Sequence, residues 1–373
     1  RLKPPKKGID SILTKWFPGI PILVALLVSI LLIVFYIGGY LESAINSVID
    51  CYIKIPFDGL ELNSLLKNII ESIILAIQSG LGIAFPYVFL FYLFISAIED
   101  TGYLTRAAFL ADQCMHKIGL HGQSVIPIVL SFGCSVPAIM STRLLKTKRE
   151  RIISSILVTM LPCSARTIVI ASIVATFIGW GAALSIYVII LILVFLVGYV
   201  LSKSLSGEQY GMILEMSKLR TPSIPSIISK TWLKVREFIY IAMPLLVISS
   251  ILMGLCKYYG LIDWFKDYID PISLAVLGLP GFALTALLFG ILRKEMALSV
   301  LITLVGTENL TLELNSIQLY VFAMLCTIFI PCISTIAVLI RAIGVKYTLI
   351  STLFTFCIGI GMGSLLYHLL QLI

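Results

Sequence analysis

Apolar runs of roughly 20 residues, separated by short polar or basic loops, fill most of this chain. Nine can be delimited: Gly19 to Leu41, Gln78 to Ile98, Ser124 to Leu145, Ile152 to Ile178, Ala182 to Leu201, Phe238 to Tyr259, Gly281 to Val305, Ser316 to Ile340 and Tyr347 to Leu370. A hydrocarbon layer about 30 Å thick is crossed by about 20 helical residues. The runs lack the period-two alternation of a barrel strand, so the pattern predicts α-helices.

The basic residues test how many runs cross. Three clusters should face the cytoplasm: Arg1, Lys3, Lys6, Lys7 and Lys15; Arg143, Lys146, Lys148, Arg149 and Arg151; and Lys203, Lys218, Arg220, Lys230, Lys234 and Arg236. Nine strict crossings would put the middle cluster outside. It returns to the inside if Ser124 to Leu145 dips in and turns back, and Gly133 with Pro137 supplies the break such a hairpin needs. The loop after Gly281 to Val305 carries Glu308 and Glu313 without Lys or Arg, so this run should re-enter from the opposite face.

The expected fold is thus an all-α integral membrane protein. It is a polytopic helical bundle of seven crossings with an inverted repeat, two re-entrant helical hairpins and two broken transmembrane helices. The local echo is Phe132 and Gly133 with Phe289 and Gly290, then Leu161, Pro162, Cys163 with Ile330, Pro331, Cys332. The chain divides into residues 1–77 (cytoplasmic N-terminal stretch, first crossing and an external amphipathic segment), a first repeat at 78–205, a linker and connecting crossing at 206–260, and a second repeat at 261–373. Amphipathic stretches, Tyr103 to Lys117 and Ile262 to Ile272, precede the hairpins and are expected to lie at the interface.

Composition agrees. Hydrophobic residues make up 59% of the chain and charged residues 12%, with a mean hydropathy of +1.07; soluble domains carry about 25% charged residues. The net charge of +8 does not point to nucleic acid, because the basic residues sit in loops beside apolar runs. Arg1 to Lys7 is polar and basic, no cleavable signal precedes the first run, and the chain reads as the continuation of something longer, with its N-terminus cytoplasmic. The eight cysteines include no Cys-x-x-Cys pair, which argues against a disulfide framework; Cys114, Cys256, Cys326 and Cys357 read as small hydrophobes.

Three other cysteines fall at helix breaks. Cys134 lies between Gly133 and Ser135, Cys163 between Pro162 and Ser164, and Cys332 follows Pro331 with Ser334 and Thr335 beyond. Proline frees a backbone carbonyl about one turn earlier, and in lipid an unpaired carbonyl costs several kcal/mol. A cation would meet that carbonyl, and sulfur selects borderline or soft transition metals over Na⁺, Mg²⁺ or Ca²⁺. Cys134, Cys163 and Cys332 are therefore the candidate metal ligands, with Ser135, Ser164 and Thr335 alongside. Charges inside apolar runs are usually functional. Arg166 qualifies, as do Arg293, Lys294 and Glu295 at the turn of the second hairpin, Glu295 either pairing with Arg166, touching substrate or only holding the fold, and Glu99 either lines the path to the site or is an ordinary helix-end charge. His116, His121 and His368 show no metalloenzyme spacing. No Gly-x-x-x-x-Gly-Lys-Ser/Thr string occurs, so no nucleotide hydrolysis, and no enzymatic activity, is expected of these residues.

The strings Glu99-Asp100-x-Gly102-Tyr103, Arg106-Ala107-Ala108-Phe109, Gly133-Cys134-Ser135-Val136-Pro137-Ala138 and Cys163-Ser164-Ala165-Arg166, with Arg293-Lys294-Glu295 and Pro331-Cys332 in the second half, resemble the membrane part of the ferrous iron transport protein B (FeoB) family, with its two Gate repeats. The resemblance runs over nearly the whole chain. It implies Fe²⁺ as the transported substrate, a multi-pass location in the prokaryotic inner membrane, and a cytoplasmic N-terminal G-protein domain in cis that binds GTP with Mg²⁺. Small accessory Feo proteins are implied partners, and homo-oligomerisation stays open. The paired hairpins and broken spans also resemble concentrative nucleoside transporters, which speaks to architecture alone. That likeness keeps a secondary transporter of a small organic solute, such as a nucleoside, as the alternative, and a membrane scaffold without transport as a weaker third. A nucleoside carrier predicts amides and acids at the hairpin tips; Gly133 to Pro137 offers neither, and the second tip offers Glu295 only.

Overall fold

The computed structural model describes residues 15–58, 64–205, 221–259, 270–271, 273–292, 294, 296–306 and 310–372. Among them every regular element is helical. The basic stretch Arg1 to Lys7, Lys218, Arg220, Arg293, Glu295, Glu308 and nearly all of the second amphipathic stretch lie outside the described residues.

Helix α1 (Trp16–Ile49) continues through a π turn (Asp50–Lys54) to Asp58. A second long segment joins α2 (Ser64–Ile77), a π turn (Gln78–Ala84) and α3 (Phe85–Thr101). After α4 (Tyr103–Lys117) come the paired short helices α5 (Val125–Ser131) and α6 (Ser135–Thr142). The broken segment α7 (Lys148–Met160) and α8 (Ser164–Val169) follows, then α9 (Trp180–Ser204) and α10 (Ile224–Tyr258). The second half repeats the order: short helices α11 (Gly281–Leu292) and α12 (Met296–Val305), broken segment α13 (Ser316–Ile328) and α14 (Ile333–Ile343), then α15 (Val345–Gln371).

Seven segments among the described residues are long and apolar enough to cross a bilayer. The molecule is a polytopic all-α membrane protein. Helices α5 and α6 hold 7 and 8 residues, about 10 to 12 Å each at the α-helical rise, well short of a crossing. They pack on one another, as do α11 and α12, so each pair turns back as a hairpin.

The first two crossings are longer than expected. Helix α1 runs on past Leu41, and α2 packs along α10. Glu42, Asn46 and Asp50 end the apolar run in sequence but recur every four residues, so they share one helical stripe. Tyr87 Oη donates to Glu42 Oε2 at 2.8 Å and Gln78 Nε2 to Asp50 Oδ1 at 3.3 Å, which lets the helix continue with its polar positions turned inward.

Three crossings (α7 with α8, α9, and α10) separate the two hairpins, an odd number, so the hairpins open to opposite faces. The side-chain contacts agree. Arg149, at the start of α7, donates to the carbonyls of Ser202 (2.6 Å) and Leu205 (2.7 Å) at the end of α9 and to Gly119 (3.1 Å) after α4. Arg143, at the base of the first hairpin, donates to the carbonyl of Arg341 near the end of α14. The first broken segment begins where the second one ends, so the two run antiparallel. At the other face Ser185 Oγ, early in α9, lies 2.7 Å from Tyr320 Oη, early in α13, and Gln318 Nε2 donates to Gly278 O at the base of the second hairpin.

The buried core gathers where the broken segments meet the hairpins and α9, through Leu157, Met160, Leu161, Ile173, Ile186, Ala286, Phe322 and Leu325, with a second cluster around Tyr92, Ile95, Ala138 and Ile139. Outward positions of α1, α9 and α15 are apolar too: Tyr36, Leu32, Ile192 and Leu353 are 60% or more exposed. In water such surfaces would be an aggregation liability; against lipid they are the solvated face. Small buried hydroxyls such as Ser131, Thr142 and Thr159 bond back to carbonyls three residues earlier and let helices approach closely.

Replacing Arg149 by Ala removes a clamp on three chain ends and should destabilise the fold by about 2 kcal/mol. Thermal unfolding of the purified chain in detergent, with Arg149→Lys as the partial-rescue comparison, measures it; an unchanged midpoint for Arg149→Ala would mean that water replaces the clamp.

Candidate functional site

Both breaks in the long segments follow from proline. Leu161 and Ile330 precede Pro162 and Pro331, and a residue before proline is pushed out of the helical region. Leu161 is extended (ψ 143°), Cys163 is extended (ψ 174°) and a new helix starts at Ser164. In the second repeat Cys332 is extended (ψ 157°) ahead of Ile333. In the first hairpin the turn is Phe132 to Cys134, with Cys134 again extended (φ −150°, ψ 130°) before Ser135. Pro137 sits in the first turn of α6, where its missing N–H costs nothing. Cys134, Cys163 and Cys332 thus occupy the same place: each is the last non-helical residue before the N-terminus of a half-helix.

These half-helices converge on one cavity of about 100 Å³. It is lined by the first hairpin tip (Gly133, Cys134, Ser135, Val136), the first break (Cys163, Ser164, Ala165, Arg166), the end of α11 with Lys294, and the second break (Cys332, Ser334, Thr335). Tyr87 and Val88 from α3 and Phe238 and Leu246 from α10 close it. Seven of the nine residues expected at the site therefore stand together: Cys134, Ser135, Cys163, Ser164, Arg166, Cys332 and Thr335. Glu99 stands apart. It lies three turns along α3 from Val88, roughly 17 Å by helical rise, and holds Lys230 at 3.3 Å and Lys234 at 3.1 Å. Glu295 lies outside the described residues.

Hydrogen bonds lock the breaks to the tips. Ser164 donates to Gly133 O twice, from its N–H at 3.1 Å and from Oγ at 2.9 Å. Gly133 is required for the approach, since a Cβ there would overlap the Phe91 ring. Cys332 Sγ lies 3.0 Å from Thr335 Oγ1.

The freed carbonyls were expected to receive a metal. They receive protein cations instead. Arg166, 3% exposed, donates from one nitrogen to Thr159 O (2.7 Å) and Leu161 O (2.9 Å), the carbonyls orphaned where α7 ends. In the second repeat Lys294, 4% exposed, reaches from the hairpin turn to Cys326 O at 3.1 Å, one turn before α13 breaks. Lys294 is also within electrostatic reach of Arg166, Cys163 and Cys332. Position marked both Arg166 and Lys294 as charges inside apolar runs, but the acceptor of Lys294 lies 32 residues away and could not be read from the sequence. The echo of Gly133 in Gly290 does not hold in three dimensions. Gly133 is in the turn, whereas Gly290 is inside α11, where its missing Cβ lets Ala297 of α12 pack close.

Of the remaining cysteines, Cys326 is buried and Cys357 is exposed on the apolar outer face of α15 rather than packed inside; the side chains of Cys114 and Cys256 lie outside the described residues.

Two broken helices and two opposed hairpins whose ends enclose a small cavity within the span define a membrane protein of the inverted-repeat transporter class. Comparison with known sequences narrows this. A family model described as "Nucleoside recognition" (Gate) matches residues 81–177 and 239–346, more than half of the chain, and one described as "Ferrous iron transport protein B C terminus" matches 183–234. The Fe(2+) transporter FeoB of Salmonella typhimurium is 28% identical over 329 residues, covering 82% of this chain and 42% of that protein. FeoB of Staphylococcus aureus is 28% identical over 389 residues, 92% of this chain and 57% of that protein. The chain belongs to the ferrous iron transport protein B family, in its membrane part, and spans about half the length of the curated relatives it matches. No solved structure matches it significantly.

Replacing Arg166 by Met strips two buried carbonyls of their donor and is expected to lower stability by about 3 kcal/mol. Thermal unfolding in detergent reads the loss. Arg166→Lys, with one ammonium for the same pair of acceptors, should fall between Met and the wild type.

Proposed function

We propose that this chain carries Fe²⁺ across the prokaryotic inner membrane, with Cys134, Cys163 and Cys332 as its ligands in the central cavity and the two hairpins as opposing gates. The supporting observation is the meeting of three thiols from three separate half-helix starts at one cavity. Electrostatics sharpen the requirement. Arg166 and Lys294 put two cationic groups at the cavity, and helix N-termini carry partial positive charge. A divalent cation binds there only against anionic sulfur, so loading requires thiolates and releases protons. Three sulfurs alone would favour Zn²⁺ over Fe²⁺, so selection for iron rests on geometry and supply. Ser135, Ser164 and Thr335 orient the tips and the third thiol.

In the whole protein, a G-protein domain preceding residue 1 binds GTP with Mg²⁺ and drives or gates the passage, and small accessory Feo proteins act with it. The basic loops favour a cytoplasmic N-terminus and a first hairpin that opens to the cytoplasm.

A second reading has its own support. Two buried cationic side chains and three converging half-helix N-termini are also what a small organic solute bearing anionic or carbonyl oxygens would meet. Uptake of ⁵⁵Fe²⁺ by cells producing the full-length protein decides between them. Cys134→Ala, Cys163→Ala and Cys332→Ala are each expected to reduce uptake at least about tenfold, the least that losing even an outer-shell partner of a metal costs. Wild-type iron uptake in the Cys134 and Cys163 variants would remove the ligand assignment, and nucleoside uptake in place of iron would establish the second reading.

A further inference from the structure

Far from the cavity, at the base of the first hairpin, four side chains with metal-binding chemistry meet. Asp112 and His116 stand one turn apart on the same face of α4. Helix α4 ends at Gly119, whose φ of +70° lets the chain reverse: Gly119 N–H bonds to His116 O at 3.1 Å and Leu120 N–H to Met115 O at 3.0 Å, a Schellman ending. Two residues later His121 is carried back over the helix. Asp112, His116 and His121 then each offer one ligand atom, and the three atoms lie within 4.8 Å of one another.

An Asp–His pair at this spacing is by itself an ordinary surface contact, and His116 is half exposed. Three further observations make it a site. The His121 side chain is 11% exposed, and neither ring nitrogen makes a hydrogen bond. Its Nε2 sits 3.3 Å from Oε1 of Glu150, a carboxylate 6% exposed in the first turn of α7. Finally, each candidate ligand is held by a different neighbour: Asp112 Oδ1 accepts the Gly122 N–H at 2.7 Å, His116 Nδ1 faces Leu120 O at 3.3 Å, and Glu150 faces His121. In metal centres the second nitrogen of a ligating histidine bonds to a carbonyl or carboxylate, which fixes the ring and leaves the other nitrogen for the ion; Leu120 O stands in that place for His116, and the Glu150 carboxylate is near enough to His121 to take it. Arg149, which donates to Gly119 O in the turn before His121, is committed to three carbonyls.

We propose that Asp112, His116 and His121, with Glu150 as a positioning residue, form a second binding site for a divalent first-row transition metal, separate from the central cavity. Two imidazoles and one carboxylate suit Fe²⁺, Mn²⁺, Co²⁺ or Zn²⁺ and leave open positions for water. A bound ion ties α4 to the turn that begins the first hairpin. The site stands whether or not the cavity carries metal.

The test uses the untagged chain in detergent with Cys134, Cys163 and Cys332 changed to Ser, so that cavity sulfur makes no contribution, and Co²⁺ as the probe. The triple-serine chain is expected to bind one Co²⁺, with visible ligand-field bands and no sulfur charge-transfer band. Adding His116→Ala or His121→Ala should weaken binding more than about tenfold. Because His116 is half exposed, His116→Ala should remain monodisperse on size exclusion, which keeps the test valid if His121→Ala misfolds. A triple-serine chain that binds no Co²⁺, or a monodisperse His116→Ala chain that binds it unchanged, overturns the proposal.

Discussion

Backbone carbonyls freed inside a lipid-surrounded fold must find donors, and the centre of this protein is arranged around that need. Each of the two long segments that break does so at a proline, and each break exposes carbonyls where no bulk water can bond them. The first is answered locally by Arg166, five and seven residues along the same chain from its acceptors. The second is answered by Lys294 from the turn of the second repeat's own hairpin, 32 residues away in sequence. The two repeats meet the same requirement with different residues, Arg166 in one and Lys294 in the other.

Satisfying the breaks in this way has a chemical consequence. Protein cations occupy the carbonyls that a transported cation would otherwise use, and the same groups make the cavity electropositive. What is left for a cation is the three thiols, with the hydroxyls of Ser135, Ser164, Ser334 and Thr335 beside them. Oxygen-preferring ions are disfavoured on both grounds, whereas a borderline metal that draws out thiolates is compatible with them. Gly133 matters here through close packing: only without a Cβ can the first tip sit against Phe91 and offer its carbonyl to Ser164.

The faces of the molecule are set by a different kind of contact. Arg149 and Arg143 each bridge chain ends that lie far apart in sequence, and both belong to one basic loop. They form the clamp that gathers α4, α7, α9 and α14 at one face.

Hydrophobic run length and the placement of Lys and Arg determined, without coordinates, that seven segments cross and two turn back, because spanning lipid admits few other solutions. The prolines and cysteines at the breaks were legible for the same reason. Hydropathy ended the first apolar run near Leu41, but the helix continues, with Glu42 and Asp50 hydrogen-bonded to Tyr87 and Gln78. Tertiary structure alone decided which groups meet the freed carbonyls, that Glu99 belongs with Lys230 and Lys234 instead of at the cavity, and that a glycine turn folds His121 back onto Asp112 and His116. Each of those depends on contacts between residues separated by a turn or by a whole repeat, and periodicity along a single chain carries no record of them.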